Sequence, residues 1–153
     1  MLEASMSNHL LVSTDGSRLA MRGAREALRL AKALHGRLTA VYVIPPPPAV
    51  YGESASYYAA GFTAAEYRKY MQKEARRALD RVQGAARKAG VRCARRIVSD
   101  LQPWRGILRA ARRARCDMIV MASHGRGALG GLVLGSETTH VLAHSKMPVL
   151  VIR

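Results

Sequence analysis

The sequence predicts an α/β fold: an open, mostly parallel five-stranded sheet with helices on both faces. Three observations predict it. Five short runs rich in apolar and β-branched residues alternate with four stretches in which apolar residues recur at helical spacing. Turn residues separate each run from the stretch that follows. The chain has 153 residues and is 49% hydrophobic, which suits one domain with a sizeable core. Strands that alternate with helices imply parallel pairing, right-handed crossovers and a sheet covered on both sides.

The first strand is His9–Thr14, HLLVST, which ends at the turn residues DGS. Ser17 is placed to cap the next helix, where Ala20, Ala24, Ala27, Leu28, Ala31 and Leu34 form one stripe between arginines. Gly36 is expected to stop that helix. Arg37–Ile44 is rich in β-branched residues and forms the second strand. Residues 45–62 open with four consecutive prolines, which cannot continue a central strand, and read as a long loop.

A helix from about Ala64 to Ala89 follows, with Tyr67, Met71, Ala75, Ala78, Val82 and Ala85 on one stripe and Gly90 at its end. VRCARRIVS, residues 91–99, is the third strand, placed at a sheet edge because three arginines interrupt its apolar surface. Residues 101–115 form a helix with Pro103 near its first turn and Trp104, Ile107, Leu108, Ala111 and Ala114 facing inward. Asp117–Ala122 is a buried strand. Ser136 is expected to cap a last helix running to about Ser145, and Pro148 opens the final strand.

Residues 1–7 have neither the basic start nor the apolar stretch of a secretory signal, and are expected to be a frayed tail on a single domain spanning 8–153. No apolar run reaches the roughly 18 residues that span a bilayer, so a cytoplasmic location is expected and a membrane partner is not. Cys93 and Cys116 are too few for a disulfide framework and read as buried thiols. His140 and His144 share a helical face, but no HExxH and no third ligand accompany them, so no metal site is expected.

The net charge is +15, and sixteen of the 25 basic residues fall between Arg68 and Arg115 against three acidic ones. Such a field attracts polyanions. These residues are spread over two helices and a strand, with few aromatics among them and no helix-turn-helix or RNP string. Solvated helix faces are therefore the expected explanation, and nucleic acid is not an expected partner.

The stretch that carries chemistry is SHGRGALGGLVLGSE, Ser123–Glu137, with five glycines. It follows the fourth strand, at a carboxyl end, where such sheets bind ligands. The helix after it begins with amides that lack intrahelical partners and with the positive end of its dipole. A phosphate can accept those bonds if no side chain blocks its approach, and glycine keeps the way open. Glu137 would repel that phosphate and is expected to point away. The loop is not a Walker A, and the GxGxxG spacing of Gly125, Gly127 and Gly130 follows the fourth strand, not the first. Ser123, His124 and Asp15 invite a nucleophile-and-base reading. Adjacent side chains at a strand end are expected to diverge, and no GxSxG elbow is present, so no catalytic residue is assigned.

STDGS after the first strand, DMIVMASHGRG, and LGSETTHVLAHSKMPVLVIR together resemble the universal stress protein family, over about residues 8–153. The resemblance implies a Rossmann-like fold of the adenine nucleotide alpha hydrolase type. It also implies a motif of Gly, two residues, Gly, nine residues, Gly, then Ser or Thr. Here Gly125 and Gly135 bracket nine residues and Ser136 follows, while Ala122 stands in place of the first glycine. Alanine is small enough for close approach, and strained only if the position requires positive φ.

The implied ligand is ATP, or ADP or AMP, with magnesium able to accompany the phosphates. Thr14 and Asp15 would lie beside the ribose or adenine, with a turn or capping role the lesser reading of Asp15. Val43 would offer backbone hydrogen bonds to adenine. Met121 and Ala122 would flank the ribose, with Ser123 and His124 following them at the strand end. Gly125, Gly135, Ser136 and the amides of Glu137 and Thr138 would hold the phosphates. The implied role is regulatory nucleotide binding in stress response, with at most slow hydrolysis.

A homodimer through the C-terminal strand is also expected, because Pro148–Ile152 is apolar and lacks the charges that protect an edge. Two other readings stay open. One is a weak ATPase or phosphotransferase. The other is a nucleotide-free member whose basic helices bind nucleic acid or an acidic partner.

Overall fold

The computed structural model describes residues 8–47, 63–124 and 134–153. Strands and helices alternate as β1 (His9–Ser13), α1 (Arg18–Ala33), β2 (Arg37–Ile44), α2 (Ala64–Ala89), β3 (Cys93–Ser99), α3 (Pro103–Ala114), β4 (Met118–Ala122), α4 (Ser136–His144) and β5 (Val149–Ile152). The strands form one parallel sheet in the order β3-β2-β1-β4-β5. The chain winds outward from β1 to β2 and β3, then returns to the other side of β1 for β4 and β5. The order therefore reverses between β1 and β4, and in open sheets of this kind a crevice forms at the carboxyl ends of the two strands.

Alternation along the strands builds two cores. Leu10, Val12, Leu38, Ala40 and Val120 pack against α1 and α2. Leu11, Val41, Ile119 and Met121 pack against Ile107, Leu108 and Ala111 of α3 and Val141 of α4. Fully buried Ala24, Ala27 and Ala31 put α1 close on the sheet. β3 carries exposed Arg95 and Arg96 and lies at one edge; β5 lies at the other. The two edge positions agree with the sequence pattern.

Ser17 caps α1 as expected, its hydroxyl accepting the Ala20 N–H at 3.1 Å. Thr63 and Glu66 form a reciprocal capping box at the start of α2, and Gly90 ends that helix at φ 72°. Gly36 closes α1, its N–H donating to the Ala31 carbonyl at 2.7 Å, but it does not take the left-handed position. The left-handed residue is His35, at φ 51°. Gly36 is required for space instead, because a Cβ there would collide with the Asn8 carbonyl at the entry to β1. The long loop foreseen over residues 45–62 lies, from residue 48 onward, outside the described residues.

Candidate functional site

A cavity of about 270 Å³ opens at the carboxyl ends of β1, β2 and β4. Eight of the residues singled out from the sequence line it: Thr14, Asp15, Val43, Met121, Ala122, His124, Glu137 and Thr138. Four strands and helices bring them together, across more than 120 residues of sequence. Gly125 lies outside the described residues.

β1 and β2 build one wall. The Thr14 N–H donates to the Val41 carbonyl at 3.0 Å, the last rung between these strands. Two residues further, Val43 turns its own N–H and C=O to the same side, beyond the end of β1. Those groups are suited to the polar edge of a flat ring. Asp15 lies at the rim, and its Oδ1 accepts the Ser17 N–H at 2.9 Å. Its turn role and its place at the cavity are thus both realised. Gly16 at φ 80° then swings the chain into α1.

β4 and α4 build the other wall. The Gly135 N–H donates to the Ser123 carbonyl at 2.7 Å, so the two ends of the glycine-rich loop are held together. Gly135 is needed for that closeness: a Cβ would lie 3.2 Å from the His124 Cα and 3.3 Å from the Ser123 carbonyl oxygen. The Thr138 hydroxyl donates to the Ala122 and Ser123 carbonyls at 3.0 and 3.2 Å. These bonds pin the start of α4 onto the end of β4. The Thr139 N–H reaches the Gly135 carbonyl at 3.0 Å. The amides of Ser136, Glu137 and Thr138 are therefore the ones a helix start leaves for an outside acceptor. Ala122 is not among the residues with positive φ, so alanine sits there without backbone strain.

Three expectations are corrected. Ser136 is not the cap of α4; Gly135 holds that position, and Ser136 is the exposed first helical residue, away from the cavity lining. Glu137 does not point away. Its Oε2 accepts the Trp104 N–H at 2.7 Å, supplying the cap that Gln102 does not give α3. Ser123 and His124 do not diverge, since Ser123 Oγ and His124 Nδ1 lie 3.1 Å apart. The chain bends as it leaves β4, which is why strand alternation fails there.

The cavity also uses residues that sequence patterns placed only in the core. Met71 of α2 and Ile107 of α3 line it, with Pro45 and Pro103 at its rim. The Tyr67 hydroxyl donates to the Pro45 carbonyl at 3.3 Å, which brings the start of α2 over the exit of β2. Behind Glu137, Trp104 stacks on His140 and His144 with ring centroids 5.5 and 4.6 Å away, tying α3 to α4. The two histidines share a face, as their spacing predicts. No helix among the described residues is long and apolar enough to cross a membrane.

Comparison with known proteins places this geometry. The model of the universal stress protein family matches residues 6–153. A universal stress protein of Thermus aquaticus, named for the QAH/OAS sulfhydrylase 3′ region, is 31% identical over 152 residues, 97% of this chain and all of the relative. A crystal structure of a universal stress protein family member from Burkholderia pseudomallei is 30% identical, with a TM-score of 0.70 over 97% of each chain. A universal stress protein solved in complex with cAMP has the same fold, at 22% identity and a TM-score of 0.69, covering 97% of this chain and 99% of that one.

Proposed function

The chain belongs to the universal stress protein family, and from that premise we propose that it binds an adenine nucleotide in the cavity between β1 and β4. The observation that carries the reading is the meeting of Asp15, Val43, Ala122 and the start of α4 around one space of about 270 Å³. Adenine lies against Val43, with Met71 and Ile107 supplying apolar contact. The ribose sits beside Asp15 and Met121. The phosphates face the α4 amides, with Gly125 and the rest of the glycine-rich loop beside them and magnesium accompanying them. ATP, ADP and AMP share this chemistry, and a solved member of the family holds cAMP.

The role is regulatory: a cytoplasmic stress-response protein whose partners read its nucleotide state. It acts as a homodimer through β5, an edge strand on which Leu150 is 37% exposed. The test is to denature protein purified without added nucleotide and analyse what it releases. Release of ATP, ADP or AMP in near-stoichiometric amount supports the reading. An empty protein that also fails to take up ATP in calorimetry refutes it. The Ser123–His124 contact favours a second reading, phosphoryl chemistry at this site. Steady turnover of ATP above about 1 per second, the low end of ordinary enzyme rates, would favour that reading instead.

A further inference from the structure

We infer that the amino end of the sheet carries a second binding site, for an oligophosphate or another compact anion bearing several phosphate groups. A concave space of about 500 Å³ lies there, at the end of the sheet opposite the nucleotide cavity. Arg37, Arg92, Arg96 and Arg113 line it. They come from the start of β2, the approach to β3, β3 itself and the last turns of α3. Among the described residues none of these four forms an ion pair, whereas Arg29, Arg77, Arg95 and Arg109 each do. Arg113 also serves the negative end of the α3 dipole. The other three are not in the last turn of a helix. Among the described residues no acid lines the hollow, the nearest being Asp117, whose Oδ2 accepts the His9 N–H at 2.8 Å, and a bound anion would offset the mutual repulsion of the guanidiniums.

A second, independent observation comes from the floor of the space. His9 lines it, is 6% exposed, and has an Nδ1 with no hydrogen-bond partner. Its Nε2 lies 2.8 Å from the Thr39 hydroxyl oxygen. In the tautomer where that hydroxyl donates, Nδ1 carries the ring proton, and the Ala114 carbonyl beside the ring offers it no well-formed hydrogen bond. Buried polar groups this poorly satisfied are rare and call for an explanation, and an ion bound in the adjoining space supplies one. Burial, and then the nearby Arg37 charge, hold the His9 pKa below its ordinary value, which Asp117 and the Ala114 carbonyl only partly offset.

The ligand class follows from the lining. Guanidiniums match phosphate oxygens in two-point contacts. Among the described residues no Phe, Tyr or Trp lines the space, and the His9 ring is buried, so no exposed ring there stacks a base. A compact polyphosphate therefore fits better than a single strand of nucleic acid. The site shares no residue with the nucleotide cavity, so it stands or falls independently of the proposed function.

The test is calorimetric titration of the full chain with sodium tripolyphosphate, at low salt and at about 0.15 M salt. One site is expected at both. The double variant Arg92→Ala/Arg96→Ala should weaken it about a hundredfold, roughly tenfold per lost arginine contact, with unchanged affinity for ATP. Both arginines are exposed, so the fold should survive, as circular dichroism will verify. Arg22→Ala/Arg25→Ala removes the same charge from the exposed face of α1 and should change affinity less than about threefold. The anion should also raise the His9 pKa in ring ¹⁵N spectra, by offsetting Arg37. Equal losses in the two double variants would reduce the site to a diffuse field and overturn the inference. So would one-to-one displacement of tripolyphosphate by ATP, loss of all binding at the higher salt, or tighter binding of a single-stranded oligonucleotide.

Discussion

Replacing Glu137 separates two effects that one carboxylate combines. Its Oε2 accepts the Trp104 N–H at 2.7 Å, at a helix start whose own cap residue makes no side-chain bond. Glu137→Ala deprives that amide of its acceptor. Losing a helix cap costs about 0.5–2 kcal/mol, and a charged acceptor belongs to the upper half of that range. In a domain of this size each kcal/mol moves the thermal midpoint by about 2–4 °C. The alanine variant should therefore melt about 3–8 °C below the parent. Glu137→Gln keeps an oxygen at the same reach and should recover at least half of the loss.

The charge acts on the ligand in the opposite sense. A carboxylate on the cavity lining opposes a phosphate by on the order of 1 kcal/mol, about fivefold in affinity. Both variants should bind ATP about fivefold tighter, while the alanine variant loses at least twice as much stability as the glutamine variant. Thermal unfolding followed by the fluorescence of Trp104, the chain's single tryptophan, reads the first effect, and calorimetry with ATP reads the second. An alanine variant that melts with the parent would refute the capping role. Unchanged ATP affinity in both would show that the carboxylate does not face the phosphates.

Gly135→Val should cut ATP affinity by more than tenfold in calorimetry and lower stability by about 1–3 kcal/mol, the usual range for overpacking, because its Cβ alone already presses on His124 and Ser123. Acid should weaken the fold through His9. Its pKa is lowered in the native state, so the unfolded chain takes up the proton first. Stability is full above the ordinary histidine value near 6.5 and falls as pH drops below it. His9→Gln should flatten that slope in urea melts between about pH 6.5 and 5. Val151→Lys should shift the protein from dimer to monomer in light scattering at micromolar concentration; a parent that is already monomeric would end the edge-pairing argument.

Some of this was legible in the sequence, for local physical reasons. The strands announced themselves because a sheet covered on both faces needs nearly continuous apolar runs, as in Leu10–Val12 and Ile119–Met121. The place of the cavity followed from strand alternation, since the carboxyl ends of β1 and β4 must meet where the order reverses. The misreadings arose where long-range contacts set the register. Serine is the better cap by propensity, yet the Thr138 hydroxyl bonds to the Ala122 and Ser123 carbonyls and fixes α4 so that Gly135 takes the cap position. Glu137 and Trp104 are 33 residues apart, and no periodicity relates them. The glycine at 36 closes its own helix through the Ala31 carbonyl, but that it must be glycine is set by the carbonyl of Asn8, 28 residues earlier.

The two ends of a parallel sheet differ electrostatically, and that difference sorts much of the basic charge. Helices that pack on such a sheet start at its carboxyl end and finish at its amino end, so their negative dipole ends gather at the latter. Lys32 of α1, Arg87 and Lys88 of α2, and Arg112 and Arg113 of α3 all lie in last turns, where a cation is favourable. Arg92 and Arg96 lie outside the helices, just before β3 and within it, and answer no helix terminus. The two groups should therefore respond oppositely to removal. Arg87→Ala/Lys88→Ala should destabilise the fold by about 0.3–1 kcal/mol per charge at low salt, an effect that shrinks as salt rises. Arg92→Ala/Arg96→Ala should leave stability unchanged or raise it slightly, because it relieves repulsion and strips no helix end of its counter-charge. Urea melts of both doubles at two salt concentrations decide the point. Equal destabilisation by the two pairs would mean that local bonds, such as the one Arg96 donates to the Arg95 carbonyl at 3.1 Å, outweigh the repulsion, and the case for a ligand at the amino end would lose its electrostatic ground.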